Sequence, residues 1–260
     1  MCGLSGIINL NNKPIKNLEQ KINLMTKLLN HRGPDYAGKY INKKSSFGFS
    51  NNRLAIVSPK ENIKLPYSKD GVSFLSYNGE IYNYLELQKF LKKKGINCKT
   101  RTDTEVMWHF LKSFLDKKNF QSLNGMWAYA FYNEKSHQLD LGRDLLGERH
   151  IFYYLESDNL FFSSEVKPIL YVSEKKHQID ELSILESWRY NSCSNGRTLI
   201  KNVFKIEPGY NLKISKSKIN KFRLQKLDLK KWTNFFKKTK NQKKIYNQFN
   251  KLIKQEVSLR

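Results

Sequence analysis

The chain has 260 residues and a formal net charge of +24, with 39% apolar and 13% aromatic residues. That composition excludes a disordered chain and suffices for the core of one large domain, or of one domain and part of another. Its three cysteines make no disulfide framework, its five histidines show no metal-ligand spacing, and no apolar run is long enough for a bilayer, so a cytoplasmic protein with no metal and no membrane association is expected.

Met1 to Asn9 has no basic segment ahead of its apolar stretch, which argues against a signal peptide, and Gly3 lies one place late for myristoylation. The lysines are spread along the chain and read as solvated surface. After residue 210 the bias sharpens, with Asp228 and Glu256 the only acids. No nucleic-acid motif accompanies that charge, so no nucleic-acid partner is expected.

In chain order, Cys2–Asn9 reads as a short buried strand. Asn17 can cap a helix carrying Leu18, Ile22, Met25, Leu28 and Leu29, ending before Gly33-Pro34. Strand runs follow at Phe47–Phe49, Leu54–Val57 and Val72–Tyr77. Tyr84–Lys94 reads as a helix closed by Gly95, and Asp103 can cap a second helix with Val106, Phe110, Leu111 and Phe114. Four strands come next: Met126–Tyr132, Gln138–Gly142, Ile151–Leu155 and Leu160–Ser163. Leu182–Tyr190 reads as helix, and Val203–Ile214 as two short strands around a Pro208-Gly209 turn. Ser215–Lys240 reads as a basic linker, and Ile245–Val257 as a one-faced amphipathic helix. Strands in series, with helices gathered in blocks, predict a layered α+β fold with mostly antiparallel sheets.

Cys2 is the first chemical candidate. If Met1 is removed, one residue carries both a thiol and a free α-amine, whose usual pKa of about 7.7–8.0 suits a general base. Six further segments matter: His31-Arg32-Gly33-Pro34-Asp35, Arg53-Leu54-Ala55-Ile56-Val57, Asn78-Gly79-Glu80-Ile81-Tyr82-Asn83, Arg101-Thr102-Asp103-Thr104-Glu105, Gly142-Arg143-Asp144 with Leu146-Gly147, and Phe162-Ser163-Ser164-Glu165. With Met1-Cys2-Gly3, their order and spacing resemble the glutaminase domain of glutamine-dependent asparagine synthetases, over residues 1–210 and more weakly beyond.

That resemblance implies a class II glutamine amidotransferase with the N-terminal-nucleophile fold, a four-layer αββα sandwich. It implies Cys2 as nucleophile, and the Asn78 side chain with the Gly79 N–H as oxyanion donors. It implies Arg53 as the grip on the α-carboxylate of L-glutamine, and Asp103 with Glu80 as partners of its α-ammonium. Asn78-Gly79 also reads as a hairpin turn and Asp103 as a helix N-cap. His31, Arg32 and Asp35 are expected to support the site, and Arg143 and Asp144 to be structural, as an internal ion pair. Glu148-Arg149-His150 departs from the usual lysine or arginine followed by proline.

Residues 211–260 resemble the start of an asparagine synthetase domain, but nothing matches its Ser-Gly-Gly-x-Asp-Ser phosphate loop. No cofactor is therefore expected in this chain, and ATP and magnesium would belong to the absent domain. A separate synthetase chain or a homodimer is the expected partner. The alternative is an inactive remnant, or a binding protein that uses its basic C-terminal tail.

Overall fold

The computed structural model describes residues 1–55, 63–114, 120–215, 218–227, 229–239 and 241–259. They fall into two compact units, Met1–Gln225 and Lys226–Arg260.

The first unit is built on two sheets. One has six strands in the order β2-β3-β1-β8-β7-β9: β1 is Gly3–Asn9, β2 Tyr36–Ile41, β3 Phe47–Arg53, β7 Phe152–Glu156, β8 Asn159–Ser163 and β9 Val203–Lys205. The other has five, in the order β11-β10-β6-β5-β4: β4 is Ser73–Ile81, β5 Gly125–Asn133, β6 Gln138–Arg143, β10 Tyr210–Ser215 and β11 Lys218–Arg223. Every pairing between these strands is antiparallel.

The period of two along each strand sorts its side chains between two cores. On β1, Leu4 and Ile8 enter the core between the sheets, while Ile7 enters the core on the outer face of the first sheet. On β5, Ala128, Ala130 and Tyr132 face the first sheet, and Trp127, Tyr129 and Phe131 face the other way. Helices close both outer faces. Helix α1 (Leu18–Leu28) brings Leu18, Ile22 and Met25, and α4 (Val166–Val172) brings Ile169 and Val172, against the first sheet. Helices α2 (Tyr84–Lys93) and α3 (Asp103–Ser113) bring Leu87, Leu91, Val106 and Phe110 against the second. The result is the four-layer αββα sandwich.

Local chemistry differs from the sequence reading at several points. Asn17 stands at the N-cap of α1, but in the left-handed region and without a side-chain cap bond. The cap of α3 is Thr102, whose side chain accepts from the Glu105 N–H at 3.4 Å; Asp103 is the first helical residue. Asn78-Gly79 is no hairpin turn, because β4 runs straight through it, paired with Ala128 and Trp127. Glycine is needed there for packing: a Cβ on Gly79 would stand 2.4 Å from the Met126 carbonyl oxygen. β2 leaves no signal in the sequence, since this edge strand, with two of its six residues exposed and none buried, carries no apolar run. Helix α4 leaves none either; Pro168 lies in its first turn, where a missing N–H costs nothing. Leu54 and Ala55 belong to no strand, and Ile56, Val57 and Asp228 lie outside the described residues.

The boundary expected at residue 210 moves, because β10 and β11 extend the second sheet and the first unit closes only at Gln225. Ser215–Lys240 is accordingly not a linker: it supplies β11 and, in the second unit, α6 (Lys230–Lys238). Helix α5 (Glu181–Tyr190) is in the first unit, whereas α7 (Gln242–Leu259) ends the second and has no buried residue. Among the described residues, no helix is long and apolar enough to cross a membrane.

Asn51 is one of the side chains that tie the sheets together, beside the Ser76 hydroxyl, which donates to the Ser50 carbonyl at 3.0 Å. Asn51, fully buried on β3, donates from Nδ2 to the Gly3 carbonyl at 2.9 Å and accepts the Tyr77 N–H on Oδ1 at 2.8 Å. Asn51→Leu keeps the volume but strands a buried carbonyl and a buried N–H. It should destabilise the domain by about 2–4 kcal/mol in urea unfolding. An unchanged midpoint would contradict this role.

Candidate active site

The strand faces that meet between the sheets carry the predicted chemistry to one end of the sandwich. Cys2 continues the face on which Leu4 and Ile8 lie, and Arg53 continues the face of Phe47, Phe49 and Asn51. Asn78 and Glu80 lie on the same face of β4 as Phe74, and Asp103 arrives at the start of α3. Cys2, Arg53, Asn78, Gly79, Glu80 and Asp103 all line one cavity, together with Met1, Leu54, Tyr77 and Arg149. Its free space is about 50 Å³.

The Cys2 thiol is held by the chain that follows Arg53. The Leu54 N–H donates to Sγ at 3.4 Å, and Sγ lies 3.7 Å from the Leu54 carbonyl oxygen. Burial pushes the thiol pKa up, and the Asp103 carboxyl adds to this. The Leu54 hydrogen bond, the N-terminal charge and Arg53 oppose it without winning. The resting group is therefore a protonated thiol that needs a base before it can attack.

Two hydrogen-bond donors stand ready on β4, the outer strand of its sheet. The Asn78 side chain is 1% exposed, and its Nδ2 is buried with no hydrogen-bond partner among the described residues. Such a group costs about 1–3 kcal/mol in a folded protein, so it marks either strain or a place for a ligand acceptor. Along the free edge, odd-numbered N–H groups point outward. Leu75 donates to the Tyr67 carbonyl at 2.8 Å, Tyr77 to Asn51 Oδ1, and Ile81 to Asp103 Oδ2 at 3.1 Å. The Gly79 N–H has the same parity and faces that edge between them.

The Asp103 carboxylate is buried. Its Oδ2 accepts both the Tyr77 hydroxyl and the Ile81 N–H, each at 3.1 Å. Burial still dominates: it pushes the pKa up to about 6 from 3.8, with help from Glu80 and against those two hydrogen bonds. A cation brought into the cavity would relieve this pair of acids, while Arg53 offers a planar fork for a carboxylate. The cavity thus presents a cationic end, an anionic end, a thiol and an amide donor. That set matches an α-amino acid with a reactive side-chain carbonyl.

Supporting residues acquire definite tasks. Arg32 donates from Nε to the Cys2 carbonyl at 3.1 Å and from Nη1 to Glu165 at 2.9 Å, and His31 meets the same Glu165 oxygen at 2.9 Å. Asp35 accepts the Ala55 N–H at 2.8 Å. Arg143 and Asp144 do not form the simple ion pair expected of them. Arg143 donates to the carbonyls of Gly147, Arg149 and Ile206, and Asp144 accepts the N–H groups of Trp127, Leu146, Glu148 and Arg149. Together they shape the loop that brings Arg149 to the cavity, where its Nη1 meets Met1 Sδ. Asn51, Tyr77 and Arg149 were not singled out from the sequence. Their roles depend on contacts across 26 to 148 residues, which no local motif encodes.

The glutamine amidotransferase domain model matches residues 1–226. The chain belongs to the glutamine amidotransferase domain family. Among its relatives is a Methanocaldococcus jannaschii protein with the provisional name asparagine synthetase [glutamine-hydrolyzing] 2, 34% identical over 100% of this chain and 52% of its own length. Another is asparagine synthetase [glutamine-hydrolyzing] 1 of Bacillus subtilis, 32% identical over 80% of this chain and 33% of its own length. The chain thus spans about half of the first relative and a third of the second. Glutamine phosphoribosylpyrophosphate amidotransferase of B. subtilis shares the fold, with a TM-score of 0.61 at 18% identity over 86% of this chain and 49% of that one. The domain is therefore a class II amidotransferase with the N-terminal-nucleophile fold.

The raised Asp103 value has a signed consequence. The fold prefers the protonated acid, so the stability that Asp103 contributes is complete below 3.8 and is lost as pH rises through about 6. Asp103→Asn removes that loss. Relative to wild type, the variant should gain stability between pH 4 and 7, by up to about 3 kcal/mol. Urea midpoints of both proteins across that range test this, and a constant difference would refute it.

Proposed function

We propose that the domain hydrolyses L-glutamine to glutamate and ammonia through a thioester on Cys2. The observation that carries this reading is the buried Asn78 Nδ2, without a partner among the described residues, in the same cavity as the Cys2 thiol, Arg53 and Asp103.

Removal of Met1 has two consequences for this site. It turns the Cys2 peptide nitrogen into a free α-amine, and it takes away a residue that lines the cavity, enlarging it. The amine then accepts the thiol proton, directly or through a water. The sulfur attacks the carboxamide carbon, and the carbonyl oxygen takes on negative charge between Asn78 Nδ2 and the Gly79 N–H. Collapse breaks the C–N bond, and the protonated amine returns its proton to the leaving ammonia. Water, deprotonated by the same amine, opens the thioester to release glutamate and restore the thiol. Arg53 holds the α-carboxylate, and Asp103 with Glu80 holds the α-ammonium. Both ends of the substrate are then fixed, which places the amide over sulfur. This chemistry calls for no metal and no cofactor in this chain.

The names of the relatives support a destination for the ammonia: ATP-dependent amidation of aspartate, or of a related carboxylate, by a synthetase domain or partner chain. ATP and magnesium would be bound there. A cytoplasmic location, and a separate synthetase chain or a homodimer as the partner, complete the proposal.

Glutamate release by the purified protein, with the N-terminal mass measured on the same sample, is the direct test. Cys2→Ala should abolish release, and Asn78→Ala should lower kcat by about 10²- to 10³-fold while leaving KM nearly unchanged. Full activity in Cys2→Ala would reject the thioester. Protonation of Asp103 removes its attraction for the ammonium, so KM for glutamine should climb as pH falls below about 6. A KM that stays flat from pH 7 to 5 would remove Asp103 from substrate binding.

A further inference from the structure

Outside the cavity, one buried cluster of charged groups has no part in the reaction as written. Cys98, Glu105 and His109 bring a sulfur, a carboxylate oxygen and a ring nitrogen within 4.8 Å of one another, a set that could ligate a metal. The place between them is already taken by a cation. The Lys69 ammonium donates to the Asn97 carbonyl oxygen at 2.7 Å and to Glu105 Oε1 at 2.8 Å, and it lies 3.1 Å from His109 Nε2. The Cys98 thiol, pushed up to about 11 by burial and by Glu105, remains protonated beside it. The cluster is therefore an ion-pair pin.

The pin joins two elements on either side of Asp103. Lys69 belongs to the segment that leads into β4, where Tyr67 bridges to Leu75. Glu105 belongs to the first turn of α3, and its carboxylate gathers the chain just ahead of that helix. It accepts the N–H of Lys99 at 2.8 Å, the N–H of Thr100 at 2.7 Å and the Thr100 hydroxyl at 2.8 Å. Burial raises the pKa of this carboxyl, but His109, Lys69 and those N–H groups outweigh it and hold the value well below the usual carboxylate range. The Thr100 hydroxyl also meets that of Thr102, the N-cap of α3, at 2.9 Å. Asp103 follows that cap directly, and its own bonds run to Tyr77 and Ile81 on β4. The gap between β4 and α3, in which Asp103 sits, is thus set from outside the cavity.

We propose that Lys69, through Glu105, is a positioning residue that holds Asp103 where it meets the α-ammonium of glutamine and so sets the selection for an α-amino acid. This inference rests on the proposed glutaminase reading. Lys69 touches no substrate. It acts by fixing the start of α3 against β4, and a carboxylate moved by a fraction of an ångström loses most of its directed contact.

The test compares L-glutamine with glutaramate, which has the carboxylate and the amide but no α-ammonium, in wild type, Lys69→Met and Lys112→Met. Lys112 pairs with Asp70 on the same segment at 2.6 Å without touching Glu105, so its removal controls for a general loosening. In Lys69→Met, kcat/KM for glutamine should fall about tenfold, through KM, with the value for glutaramate within about twofold of wild type. Lys112→Met should keep the wild-type preference. Equal losses for both substrates in Lys69→Met, or no loss, would overturn the proposal. Lys69→Gln serves in place of Lys69→Met if that variant does not fold. If wild type hydrolyses neither substrate, the glutaminase reading fails instead, and positioning is then decided by hydrogen exchange at the Ile81 amide, which donates to Asp103. Protection lost in Lys69→Met, with Tyr77 still protected, supports the pin; unchanged protection at Ile81 overturns it.

Discussion

The hydrogen bonds of Asn51 set the distance on which the whole site depends. A thiol at the end of one sheet and amide donors on the outer strand of another can cooperate only if the sheets are locked in register. Apolar packing between the sheets is strong but weakly directional, and it tolerates small slides. Asn51 removes that freedom by taking the Gly3 carbonyl beside Cys2 and the Tyr77 N–H beside Asn78. Because it is fully buried, water cannot substitute for either bond.

Around that lock, the site is built from groups whose native state is not their most comfortable one. The pKa values of the Cys2 thiol and the Asp103 carboxyl are both raised by burial, and the Asn78 amide nitrogen has no partner among the described residues. Each is a local cost that the apolar cores on both sides of the sheets offset. Each is also what a charged, hydrogen-bonding substrate would relieve. The ammonium of such a ligand would answer Asp103 and its carbonyl oxygen would answer Asn78, which favours an amino acid amide over a simple amide. In the second arrangement of charge, the Lys69 ammonium and the N–H groups of Lys99 and Thr100 all donate to the Glu105 carboxylate.

Much of the fold was legible because strand and helix periodicities survive a basic surface. The apolar residues of α1, α2 and α3 follow the helical stripe, and the strands from β5 to β8 follow as a series of compact apolar runs. The elements that escaped have physical reasons. β2 is a half-exposed edge, α4 carries a proline in its first turn, and β11 is a mostly exposed, lysine-rich outer strand held by its pairing with β10. Asn78-Gly79 looked like a turn because local propensity favours one. Pairing with Ala128 and Trp127 overrode that propensity, and glycine is retained for the close approach of the Met126 carbonyl.

The sequence by itself determined the identity of the chemical groups: an early cysteine, the Arg53, Asn78-Gly79-Glu80 and Asp103 segments, and a spacing shared with the glutamine amidotransferase family. These are properties of residue type and order, and they can be read without knowing where the chain goes. Only the tertiary structure decided that Asp103 is a helix's first residue anchored to β4 and not its cap, and that Arg32 grips the Cys2 carbonyl. It alone revealed Asn51, Arg149 and the Lys69–Glu105 pin as parts of one machine. Those roles arise from hydrogen bonds between residues 22 to 148 positions apart, whose geometry is fixed by the packing of two sheets and appears in no local pattern.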